Sequence, residues 1–141
     1  MKLVIDNSVV MRWLFNDGSE ADRDYAGQIA SLVETHDIYV PALFVPEAAN
    51  VISRALKAKV ISKVDAVRYF DLIDDMTAKV TPPDDTSAVM QLTLRAFEDN
   101  LSAYDASYLL LAENINCPLA TLDQDLRKTA VKRGVVVASW P

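Results

Sequence analysis

Two kinds of hydrophobic pattern alternate along this chain. Short apolar runs at Lys2–Asp6, Asp37–Val40, Ala78–Thr81, Leu119–Leu122 and Val135–Ala138 have the length and composition of buried strands. The stretches between them repeat apolar residues three and four apart, which is helical spacing. The first helix carries Val9, Val10, Trp13 and Leu14, with caps offered by Asn7-Ser8, and Gly18-Ser19 breaks it. Glu20 to His36 follows with Tyr25, Ile29, Leu32 and Val33 inward. Leu43 to about Lys59 is built on Val45, Ala48, Ala49, Ile52, Ala55 and Leu56. Ser62 and Asp65 start a helix in capping-box fashion that runs to about Met76 on Val67, Phe70, Leu72 and Ile73. Asp84-Asp85-Thr86 caps another to about Asn100, on Ala88, Val89, Leu92, Leu94, Ala96 and Phe97. Ala103–Asn114 is apolar almost all the way round and should be buried; Gln124–Lys132 is the last helix. Strands alternating with helices predict an α/β fold with a mainly parallel central sheet covered by helices on both faces. No repeat or linker divides the 141 residues, so one domain spanning 1–141 is expected.

Acids fall at the seams of this pattern. Asp6 ends the first strand, Glu47 lies at the edge of the third helix's apolar stripe, Asp105 sits in the first turn of the apolar helix, and Asp123 follows the fourth strand. Each has an ordinary structural explanation: Asp105 three residues after Ser102 suits a capping box, Asp123 suits an N-cap, and Glu47 favours a positive helix end. Against this, Asp105 shares its face with Tyr108, Leu109 and Ala112, so its charge needs a partner. Strand ends of a parallel sheet are also where ligands bind.

Composition narrows the chemistry. No apolar run approaches a membrane span and MKLVIDNS lacks the features of a signal peptide, which predicts a soluble cytoplasmic protein with no membrane partner. One cysteine, Cys117, and one histidine, His36, cannot build a structural zinc site, so any metal must be held by carboxylates. Three glycines allow neither a dinucleotide fingerprint nor a phosphate-binding loop, and no G-x-S-x-G elbow accompanies His36. The net charge of −6 argues against a nucleic-acid partner unless clustered acids hold cations that reverse the local field. Acids gathered without compensation would repel or take up protons; a divalent cation resolves the repulsion. Magnesium or manganese takes oxygen ligands, keeps several waters and can activate one against a phosphodiester.

The ordered segments LVIDNS, VPEAANVI, LSAYDASYLLLAE and PLATLDQDL resemble the PIN-domain ribonucleases, specifically the VapC-type toxins of toxin–antitoxin pairs, and the likeness covers essentially the whole chain. The resemblance implies a three-layer fold with a five-stranded, mainly parallel sheet, a Mg²⁺ or Mn²⁺ site, endonucleolytic cleavage of RNA, a homodimer and a cognate antitoxin that blocks the site. It implies that Asp6, Glu47, Asp105 and Asp123 are the catalytic metal acids, and that Ser8 and Thr121 orient carboxylates or metal-bound water. Asp125, Arg12, Arg54 and Lys57 are further candidates; an early helical acid also serves the helix dipole, and exposed bases also serve solubility. Competing readings are a haloacid dehalogenase-type phosphatase, which would want a second acid where Ser8 stands, a receiver-like signalling module, which would want a late lysine near Asp123, and a catalytically silent PIN-like adaptor for RNA or protein.

Overall fold

A computed structural model describes residues 1–82 and 85–139. Its elements run β1 (Lys2–Ile5), α1 (Asn7–Leu14), α2 (Glu20–Val33), β2 (Asp37–Pro41), α3 (Phe44–Lys57), α4 (Lys63–Asp75), β3 (Lys79–Thr81), α5 (Ala88–Asp99), α6 (Ala103–Asn114), β4 (Leu119–Ala120) and α7 (Gln124–Lys132). The strands form one parallel sheet in the order β3-β2-β1-β4, with Val4 opposite both Tyr39 and Leu119. Every connection between neighbouring strands is therefore a helical crossover, as parallel pairing demands.

Alternation along β1 divides the core into two layers. Leu3 and Ile5 join Ile38, Val40 and side chains of α1 to α4 on one face, while Val4 joins Tyr108, Leu109, Leu119 and Leu126 on the other. Leu3, Val4 and Ile5 are all essentially inaccessible, which is why this strand reads as a continuous apolar run. The result is the three-layer α/β arrangement the pattern predicts.

Three expectations are corrected. The sheet has four strands among the described residues, where five were expected: Val135–Ala138 contributes one parallel bridge, Leu119 to Val137, with Leu119 N–H donating to Val136 O and Ala138 N–H to Leu119 O, each at 2.9 Å. The expected strand Leu119–Leu122 stops at Ala120 because hydroxyls capture the next amides: Leu122 N–H donates to Ser8 Oγ at 3.0 Å and Asp123 N–H to Thr121 Oγ1 at 3.1 Å. Several stripe residues face outward, among them Val45, Val67, Phe70 and Leu72, and α5 buries none of its residues, with Phe97 83% exposed. Helical spacing identifies an apolar face without saying whether another element covers it. Instead, α5 is tied by Arg95 to Glu113 at 2.7 Å and by Arg133 to Asp99 at 2.6 Å, above an open groove lined by Pro41, Leu43, Leu92 and Leu111. Asp84 of its expected cap lies outside the described residues; the helix starts after Ser87, whose N–H donates to Asp85 Oδ1 at 3.0 Å.

Candidate active site

Asp6 stands where β1 turns into α1, held by Asp6 N–H donating to Ala120 O at 2.9 Å. It occupies the N-cap position, in place of the expected Asn7-Ser8, yet its side chain makes no capping bond. Asp6 is 5% exposed, and its Oδ2 accepts from Ser8 Oγ and from Thr121 Oγ1, both at 2.7 Å. Thr121 is fully buried, and its hydroxyl reaches Asp6 from the end of the neighbouring strand. The same two hydroxyls that end β4 thus brace Asp6, leaving Oδ1 without a side-chain donor among the described residues. Nearby, Asn7 Oδ1 is buried with no hydrogen-bond partner among the described residues.

Asp123 is the N-cap of α7, its Oδ1 accepting from Leu126 N–H at 2.8 Å, so the ordinary capping explanation of this acid is realised. A cap uses one oxygen and leaves the other. Asp105 differs. Ser102 Oγ accepts from its N–H at 3.0 Å, but the return contact from the acid to the cap's N–H, which completes the boxes of α2 and α4, is not formed in α6. The Asp105 carboxylate is therefore not spent on closing its helix. Glu47, in the first turn of α3, is half-buried and accepts from Tyr108 Oη at 2.7 Å on Oε1.

The electrostatics bring these acids into one group. Burial is the main cause that raises the Asp6 carboxyl above its ordinary range, and the charge of Asp123 adds to it. Glu47 is raised by burial and then by Asp6 and Asp105, against the stabilising bond from Tyr108. Asp105 is raised by burial, then by Asp123 and Asp6, with Asp125 contributing and the Ser102 hydroxyl opposing. Asp6 thus feels Asp123, Asp105 feels Asp6 and Asp123, and Glu47 feels Asp6 and Asp105, a chain of influence that runs between β1, α3, α6 and the end of β4. Exposed Asp125 lies near enough to act on Asp105.

The bases expected from the sequence, Arg12, Arg54 and Lys57, lie elsewhere. Arg12 is ion-paired to Asp17 in the turn after α1. Exposed Arg54 and Lys57 belong to the last turns of α3, away from the end that carries Glu47. His36 and Cys117 bond locally, to Thr35 Oγ1 and Pro118 O, so the donor set is carboxylate oxygen alone. That set suits a hard divalent ion. Among the described residues no three His, Cys, Asp or Glu side chains form a ready cage. Tyr108 is the site residue that sequence reasoning missed: its position three residues after Asp105 was visible, and the signal was a phenol on a buried helix, whose hydroxyl must find a partner.

Parallel sheet, helical crossovers and acids at its edge define a three-layer α/β fold, and comparison with known proteins gives its family. The chain belongs to the PIN-domain family, matching the PIN domain over residues 3–132. It is 32% identical over 129 residues, 90% of either chain, to VapC ribonuclease Mb0985 of Mycobacterium bovis and, to the same extent, to ribonuclease VapC9 of Mycobacterium tuberculosis. Among solved structures it superposes on PAE2754 from Pyrobaculum aerophilum with a TM-score of 0.67 at 19% identity, covering 97% of this chain and 83% of that one. FitAcB from Neisseria gonorrhoeae gives 0.63 at 18% identity, covering 97% and 96%. At those identities the two structures support the fold alone.

Proposed function

We propose that this chain, acting as one PIN domain, is a Mg²⁺- or Mn²⁺-dependent endoribonuclease of the VapC toxin type. The observation that carries the reading is the gathering of Asp6, Glu47, Asp105 and Asp123 at one end of a parallel sheet, three of them held above the ordinary carboxylate range by burial and by one another. Such a group is costly unless a cation compensates it. When bound, the ion supplies positive charge for a phosphate oxygen and an acidified water for in-line attack. The chain's own contribution is orientation. Ser8 and Thr121 fix one oxygen of Asp6, the α7 amide of Leu126 fixes one oxygen of Asp123, and the first turn of α6 sets Asp105.

The partner readings belong to the same proposal. The VapC likeness supports RNA as substrate, a cognate antitoxin that blocks the site, a homodimer and a cytoplasmic setting. The exposed apolar residues of α4 and α5, including Val64, Phe70, Met90 and Phe97, are the kind of surface a protein partner covers. No helix among the described residues is long and apolar enough to cross a membrane. Light scattering at micromolar concentration should give twice the chain mass; a monomer overturns the homodimer.

The deciding experiment is incubation of purified protein with a structured RNA pool in Mg²⁺, in Mn²⁺ and in chelator, alongside Asp105→Asn. Cleavage in either metal, absent in chelator and reduced about a hundredfold or more in the variant, is the expected result. The open cage favours a second reading, a silent PIN-like adaptor. Metal binding without cleavage of any RNA would support that reading, and chelator-resistant cleavage would overturn the metal centre.

A further inference from the structure

The phenol of Tyr108 is fully buried at the ring and polar only at its tip, and the tip is spent on Glu47. Tyr108 lies three residues after Asp105 on α6, one helical turn along, whereas Glu47 belongs to α3, 61 residues distant in sequence. Among the described residues this is the one side-chain hydrogen bond between the two helices. The bond therefore links the helix carrying one acid to the side chain of another.

The physical asymmetry between the partners gives the contact a direction. Tyr108 is pinned by its ring among Val4, Leu109 and Leu119, so its oxygen is a fixed point. Glu47 has three side-chain torsions and partial access to water, and it experiences the charges of Asp6 and Asp105. Left alone it would gain rotamer entropy and reduce repulsion by turning outward. A charge-assisted O–H···O bond of 2.7 Å opposes both tendencies. It occupies one lone pair of Oε1 and leaves Oε2 without a hydrogen-bond donor among the described residues.

We propose that Tyr108 is a positioning residue for the carboxylate centre: its hydroxyl holds Glu47 turned toward Asp6 and Asp105, so that Glu47 is already placed as a cation ligand. This rests on the metal-dependent reading above, and the test separates the two. Mn²⁺ alone is titrated by electron paramagnetic resonance into wild type, Tyr108→Phe, Glu47→Ala and the double variant, with a thermal melt of each. Tyr108→Phe keeps the ring and should weaken Mn²⁺ binding about tenfold. In the Glu47→Ala background the same change should alter affinity by less than about twofold, because there is no carboxylate left to position. A purely structural phenol would lower the melting temperature while leaving Mn²⁺ affinity unchanged, or would weaken binding equally in both backgrounds; either result overturns the proposal. A wild type that binds no Mn²⁺ overturns the metal centre itself, and the positioning role with it.

Discussion

Asp6 is buried, braced by two hydroxyls and held above its ordinary ionisation range, a combination that makes it sensitive to pH and to its neighbours. A carboxyl whose pKa is higher folded than unfolded binds protons more readily in the native state. The destabilisation is fully present above the folded pKa and is relieved as pH falls toward the ordinary value of about 4. Asp6, Glu47 and Asp105 all have this sign. The opposite sign belongs to Asp37, lowered by its bond to Lys79, to Asp65, lowered by the Ser62 amide, and to Asp85, lowered by Ser87. Their stabilisation is lost only as pH falls below that ordinary range. Metal-free protein should therefore melt at higher temperature on acidification from neutral toward the ordinary carboxylate range, with a shallower rise in Asp6→Asn. Saturating Mn²⁺ should reverse the trend, because the ion competes with protons for the same oxygens. A metal-free melting temperature that falls steadily over that window contradicts the assignment of these three carboxyls. Thr121→Val removes the donor to Asp6 from a fully buried position and should cost about 2 kcal/mol by urea denaturation.

At the scale of elements, α6 and α5 present opposite cases. α6 buries Ala106, Tyr108, Leu109, Leu111 and Ala112, and its first turn carries Asp105. The Ser102 hydroxyl accepts the Asp105 amide, so Ser102→Ala should remove about 1 kcal/mol. That corresponds to a melting temperature lower by about 3 °C, measurable by circular dichroism. Buried apolar contacts on the rest of α6 should keep the helix formed. α5, by contrast, has no buried residue and leans on Arg95–Glu113 and Arg133–Asp99. Removing the Asp99 carboxylate by Asp99→Ala should raise amide exchange in α5 before the sheet opens, read by hydrogen exchange with mass spectrometry. Equal protection of α5 in the variant and the wild type would show that these ion pairs do not anchor it.

For the whole molecule, the charge balance sets a condition on RNA. Twenty acids against fourteen bases repel a polyanion, and the candidate bases do not offset this at the site, since Arg12 is paired to Asp17 and Arg54 sits near the far end of α3. RNA affinity should therefore depend on the ion. Replacing Ca²⁺ by chelator should weaken binding of a single-stranded oligonucleotide about tenfold or more, about 1.4 kcal/mol, in a fluorescence anisotropy titration. Chelator-insensitive binding would locate the RNA surface away from the acids.

The pattern of apolar and polar positions determined the alternation of strands and helices, the burial of α6 and the placing of acids at strand ends and helix starts, because each of these is a local property of period and residue type. It also showed, through residue identity at Asp6, Glu47, Asp105 and Asp123, that any metal must be held by oxygen. Strand order lay outside its reach, as did the exposure of Val45, Phe70 and Phe97, since periodicity marks a face without naming what packs on it. The early end of β4 was equally hidden, for it depends on Ser8 and Thr121 taking amides that a strand would otherwise use, and so was the single bridge that Val135–Ala138 makes. The bond from Tyr108 to Glu47 belongs to the same class. Two side chains on separate helices meet only when the sheet brings α3 and α6 together, so the tertiary structure alone decided that the buried phenol of Tyr108 and the Glu47 carboxylate are partners.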